Sequence, residues 1–321
     1  DGPLGNVGVR ERNLLGKGYD LRAQFNISGR RSTIDVSFTD PYFLDKELSA
    51  GFDVFHRRFD RRESSFEENN TGAGVRMGYD LAEYTRHTIS YTFSYDEVDV
   101  DDDNEISDVI KDEDGHEFRS IIGHDIIYDR RDSRTDPHEG YYLSTGMDFA
   151  GVGGTVTYLR NTLGGGYFIP ITKEVTIGAT GEIGYIKGIG DEVRVTDAFF
   201  LGGQNLRGFA TGGVGPRDSD TNDALGGKFR AEGTVQAAFP LGLPEEYAIR
   251  GRVFSDFGTL TGTDFEDDID LNDDASLRMS VGVGLTWVSP FGPLAVDLAY
   301  PVMKESYDED ELFRFSVGTS F

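Results

Sequence analysis

Residues 71–82, TGAGVRMGYDLA, alternate: Ala73, Val75, Met77, Tyr79 and Leu81 take one side of an extended backbone, and Gly74, Arg76, Gly78 and Asp80 the other. Residues 85–96 repeat the pattern, with Ile89, Tyr91, Phe93 and Tyr95 opposed to Thr88, Ser90, Thr92, Ser94 and Asp96. In 19–28, Tyr19, Leu21, Ala23, Phe25 and Ile27 oppose Asp20, Arg22, Gln24, Asn26 and Ser28. In 279–287, Met279, Val281, Val283, Leu285 and Trp287 oppose Ser280, Gly282, Gly284 and Thr286. Period two marks β-strands with one apolar and one polar face. Strands of about ten residues cross a bilayer when tilted, whereas no apolar run here approaches the length of a helical span.

Two architectures share this alternation. A soluble sandwich or lipocalin-like barrel turns the apolar face inward; a transmembrane barrel turns it toward lipid. Three features favour the membrane. The strands outnumber those of a small sandwich, the polar faces are rich in Gly, Ser and Thr, and aromatics recur toward strand ends, as interfacial girdles require. The pattern predicts strands near 6–14, 19–28, 32–40, 48–58, 72–82, 85–98, 118–130, 140–150, 156–169, 175–187, 228–239, 247–258, 277–288, 293–300 and 312–321. The triple glycine at 164–166 interrupts the alternation of 156–169. An antiparallel barrel closes on an even number, so the expectation is that one further strand lies upstream of Asp1.

The predicted connections alternate in length. Short turns such as 29–31 and 82–84 alternate with long segments at 59–71, 99–117, 188–227 and 259–276, several of them acidic. Short turns on one rim and long loops on the other fit an outer-membrane barrel. The acidic loops account for much of a net charge of −26, which argues against nucleic acid as partner. The opening residues, DGPLGNVGVRERN, have neither the charged nor the apolar region of a signal peptide.

No enzyme constellation appears. The chain has no cysteine. The histidines His56, His87, His116, His124 and His138 are scattered without metal-ligand spacing, and no phosphate-cradling glycine loop occurs. The acidic run at 99–105 lacks the glycine of a calcium loop and reads as a solvated segment. No catalytic residue, metal or cofactor is expected.

The chain ends LFRFSVGTSF, with Phe313, Phe315, Val317 and Phe321 on one face and Gly318 on the other. A terminal aromatic closes that strand. Upstream, FFLGGQNLRGF (199–209) places Leu206, Arg207, Gly208 and Phe209 after a glycine-rich turn. This stretch resembles the loop motif of the BamA family of outer-membrane assembly proteins. So do ERNLLGKGYDLRAQF (11–25), TDPYFLDKELSAGFDVF (39–55), DRRDSRTDPHEGYYLS (129–144), GVGPRD (213–218) and LRMSVGVGLTWVSPFGPLAVDLAYPV (277–302). The resemblance covers nearly the whole chain. It implies an all-β fold: a single transmembrane antiparallel barrel over 1–321, of the sixteen-strand type with about fifteen strands present, and POTRA domains upstream.

The resemblance further implies that the 188–227 loop folds into the barrel and lays Arg207 against the inner wall. Asp256 matches the acid that receives it. Gln236 stands where many relatives have a second acid, which leaves Asp256 and Glu232 as the expected partners. The implied function is assembly of client outer-membrane proteins at a lateral seam, one side of which is the terminal strand with Phe313, Phe315, Val317, Gly318 and Phe321. The implied partners are those clients, accessory lipoproteins, membrane lipid and lipopolysaccharide, and the implied location is the outer membrane of a Gram-negative bacterium. The alternative is a transporter of the two-partner secretion or TamA type, which shares the loop triplet and moves unfolded polypeptide.

Overall fold

The computed structural model describes residues 5–100, 106–244, 248–289 and 292–317. The strands are β1 (Gly5–Leu14), β2 (Tyr19–Ile27), β3 (Arg31–Asp40), β4 (Leu48–Arg61), β5 (Phe66–Ala82), β6 (Thr85–Val100), β7 (Gly115–Asp129), β8 (Gly140–Ala150), β9 (Tyr158–Pro170), β10 (Thr176–Gly188), β11 (Gly208–Phe209), β12 (Arg217–Asp218), β13 (Phe229–Pro240), β14 (Ile249–Thr261), β15 (Leu271–Asn272), β16 (Arg278–Ser289), β17 (Gly292–Met303), β18 (Asp310–Glu311) and β19 (Phe313–Val317). Fifteen of them form one sheet in chain order, β1 through β10 and then β13, β14, β16, β17 and β19. The two-residue strands pair apart, β11 with β18 and β12 with β15. Among the described residues no helix is long and apolar enough to cross a membrane.

The faces sort as lipid demands. Phe52, Val75, Leu143, Val283, Trp287 and Phe315 are exposed, while Asp96, Arg207, Arg217, Asp256, Arg278 and Asp297 are buried. A soluble sandwich would show the reverse. Apolar side chains facing outward and charges facing inward match a strand whose outer neighbour is hydrocarbon.

Two expectations need correction. Residues 59–71 are not a long loop: β4 runs to Arg61 and β5 begins at Phe66, leaving only 62–65 as the turn. Charges placed in that loop pair across the strands instead, Glu67 with Arg58 of β4 at 2.5 Å and Arg61 with Glu68 at 3.1 Å. The other long segments are trimmed for the same reason. β6 extends to Val100, β7 starts at Gly115 and β14 reaches Thr261. The second correction concerns rims. In an antiparallel order, connections alternate between the two ends, so the turn after β2 shares its end with the connection after β6 and not with the turn at 83–84. β9 continues through Gly164–Gly166 without a break.

The chain divides into two compact units. The first comprises Asp1–Ile127, Thr145–Asn161 and Ile186–Val195, the second Tyr128–Ser144, Thr162–Tyr185 and Thr196–Phe321. In the first, a one-turn helix, Asp108–Lys111, buries Val109 and Ile110. Arg194 there bonds Glu117 and donates to the carbonyl of Glu113 at 2.9 Å. The loop motif and its partners lie in the second unit.

Candidate functional site: the docked loop arginine

The site starts from glycines on β16. In register, Arg252 of β14 faces Gly284, and Gly284 faces Asp297 of β17. A Cβ at Gly284 would sit 2.1 Å from Asp297 Oδ1 and 2.8 Å from Arg252 Nε. Without it, Arg252 reaches across the strand and binds Asp297 through Nε at 2.9 Å and Nη2 at 2.5 Å. Two residues earlier, Phe254 faces Gly282, where a Cβ would lie 2.3 Å from the ring. The phenyl group therefore lies over the strand and forms a floor.

Arg207 docks on that floor. Its guanidinium carbon stands 3.4 Å from the centroid of Phe254. Nε and Nη2 donate to Asp256 Oδ2 and Oδ1, each at 2.7 Å, and the backbone N–H of Arg207 donates to Oδ2 at 3.0 Å. Thr234 Oγ1 adds a bond to Oδ1 at 2.9 Å. Asp256 is fully buried, and the arginine side chain is 9 % exposed. A planar, bidentate fork fixes orientation as well as distance, which a lysine ammonium cannot do. Nη1 lies 3.9 Å from Asp297 Oδ1, so Asp256, Arg207, Asp297 and Arg252 form an alternating chain of charge. Alternation of sign lets four charges share a poorly solvated space that none could occupy alone.

Neighbouring residues hold the loop in place. Leu206 and Phe209 are fully buried. Gly208 takes a φ of +97°, open to glycine and strained for other residues, and a Cβ there would sit 3.1 Å from the Cβ of Ser280 and 3.4 Å from that of Ala299. Gly208 and Phe209 then pair with Glu311 and Asp310. Ala210 N–H donates to the Glu309 carbonyl, and Glu309 N–H to the Gly213 carbonyl, each at 2.9 Å. The loop is thus laced to the connection between β17 and β19.

A second arginine, Arg217, is buried at 1 % exposure and donates to the carbonyls of Asn222 and Gly212 and to Glu309 Oε1 at 3.2 Å. The same connection is held from β16 by Arg278, whose pair with Asp308 at 3.0 Å is buried on both sides. Tyr307 accepts from Arg278, and burial pushes its phenol above the ordinary value.

Of the expected partners, Asp256 meets Arg207. Glu232 does not: its carboxylate lies 3.6 Å from Arg230, and Asn205 of the loop reaches it. Gln236 lines a cavity of about 240 Å³ together with Arg207, Arg252 and Arg314, with no bond to the guanidinium among the described residues. Phe313 and Phe315 are exposed, and Val317 is in register with Leu294. Gly318 and Phe321 lie outside the described residues. Sequence reasoning placed Arg252 on the polar face of its strand without giving it a role, and passed over Asp297 and Arg217. Alternation puts Arg252 on a polar face and would have done the same for Asp297, but only register brings them together.

A family model described as the Omp85 superfamily domain matches residues 13–321. The outer membrane protein assembly factor BamA of Neorickettsia risticii (strain Illinois) is 31% identical across 100% of this chain and 43% of its own length. The chain spans less than half the length of the curated BamA relatives it matches. Among solved structures, BamA from Haemophilus ducreyi lacking POTRA domains 1-3 superposes with a TM-score of 0.84 at 23% identity, covering 99% of this chain and 67% of that one. CdiB from Acinetobacter baumannii gives 0.61 at 12% identity over 97% of this chain and 55% of that one. The sheet is therefore an outer-membrane barrel of the BamA type, and the chain belongs to the Omp85 superfamily.

Proposed function

We propose that this barrel folds client outer-membrane proteins and passes them into the bilayer at a seam beside β19, without catalysing a covalent reaction. One observation carries the reading: the loop is anchored on β14, β16 and β17 and laced to the connection that leads into β19. The strands next to the terminal one are thus held from within and do not depend on edge pairing alone. Unpaired backbone in hydrocarbon costs several kcal/mol per group, so a loosened edge recruits another strand. A client strand adds to it by β-augmentation, and the client's own burial drives the step forward. Its partners in this reading are client barrels, accessory lipoproteins, and the lipid and lipopolysaccharide around the seam.

A photo-crosslinking amino acid at position 313 or 315 of the full-length protein tests this. Capture of a client's terminal strand there, with none at the outward position 75, is the expected result. Client capture at the inward position 236 alone would replace the seam with polypeptide transport through the interior.

A further inference from the structure

The outward face of the second unit is not uniformly filled. Across β9 and β10 the outward positions shrink to Gly165, Ala179 and Gly181, and a trough of about 520 Å³ opens over them. Its walls are Tyr141 and Tyr167 on one flank and Phe257 on the other. This face meets hydrocarbon, so the trough holds whatever chain-like apolar molecule the bilayer supplies. Elsewhere the outward face carries large side chains such as Val75, Val283 and Trp287.

Its mouth is polar. Tyr128, Tyr141 and Tyr167 run side by side on β7, β8 and β9, with ring centroids 5.7 Å and 6.4 Å apart. Arg130, exposed in the turn after β7, hydrogen-bonds the Tyr141 side chain, and its backbone N–H donates to the Tyr141 carbonyl at 2.9 Å. A guanidinium beside two phenols offers several donors to a phosphate. Aromatic rings at this level mark the interface between hydrocarbon and headgroups. The turn at 130–139 shares its end of the sheet with the connections after β9 and β13, opposite the docked loop. The shorter connections gather at this end, as at the periplasmic rim of outer-membrane barrels.

We propose that the trough is a binding site for one phospholipid of the periplasmic leaflet. An acyl chain lies over Gly165, Ala179 and Gly181, and the headgroup phosphate is held by Arg130 and the tyrosine hydroxyls. The inference rests on the outward face being in the membrane and not on the assembly activity. The occupant follows from complementarity: the trough is lined almost wholly by apolar groups, and Tyr141 on its flank is bonded to the exposed cation Arg130.

The test is native mass spectrometry of the full-length protein released from nanodiscs of phosphatidylethanolamine and phosphatidylglycerol. The wild type should keep one phospholipid at activation energies that strip the annular lipid. Ala179→Leu fills the trough from a residue that already carries a Cβ, and should lower that retained fraction about tenfold, a change of about 1.4 kcal/mol. Arg130→Gln, in an exposed turn outside the strands, should weaken retention of both lipids. Ala73→Leu, outward on β5, should leave it unchanged. Heat-modifiable gel mobility verifies that each variant is folded, and Arg130→Gln decides the matter if Ala179→Leu does not fold. Equal retention in all four proteins overturns the site. A two-protomer mass that disappears in Ala179→Leu also overturns it, by assigning the trough to a second copy of the chain.

Discussion

Arg207 and Arg58 carry the same guanidinium into the same kind of partnership and meet opposite fates. Arg207 is 9 % exposed against a fully buried Asp256, while Arg58 is 59 % exposed against Glu67 at 30 %. The distances are nearly alike, 2.7 Å and 2.5 Å. Distance therefore says little about what each pair does. Asp256 is fully buried, and removing one partner leaves a buried charge without its bidentate counter-ion. Around Arg58 water replaces either partner at once, and salt screens what remains. The buried pair specifies where a loop sits; the exposed pair decorates a hairpin that its own ladder holds.

The comparison can be broken at its strong end first. Asp256→Ala should destabilise the docked loop by about 3–5 kcal/mol, because it takes the bidentate partner from a buried Arg207 and leaves only Asp297, 3.9 Å away. The readout is protease cleavage within 196–227 in folded protein, together with loss of complementation in a depletion strain. Wild-type resistance to protease would mean that the loop is held by its lacing to the β17–β19 connection alone. Arg207→Lys sharpens the point, since it keeps the charge and gives up the fork. It should cost about 1.5–3 kcal/mol, the range for a lost hydrogen bond to a charged group. Cleavage as slow as in wild type would show that charge, and not geometry, is what the site needs. At the weak end, a double-mutant cycle on Arg58→Ala and Glu67→Ala should give the smallest effect, with a coupling that vanishes in high salt. A coupling that survives salt would erase the contrast between the two regions.

Much of this was legible in the sequence, and the gaps have a physical cause. Alternation revealed the strands because burial on one face and lipid on the other leave a period of two in the residues themselves. Arg207 stood out because its glycine-rich stretch resembles a family loop motif, and the same resemblance pointed it to Asp256. Residues 59–71 were misread because charges on a wet strand face look like charges in a loop. Asp297 was passed over because its meeting with Arg252 depends on Gly284 lying between them in register, a fact of three strands at once. The alternating glycines of VGVGLT hinted at it. They stand where side chains from neighbouring strands must cross.

The lacing between Ala210, Gly213 and Glu309 joins segments nearly a hundred residues apart in the chain. Amide protons at Ala210 and Glu309 are therefore tied to one opening event, and their hydrogen exchange should rise and fall together. Whatever grips the connection ahead of β19 takes hold, through those amides, of the mount on which the arginine rests.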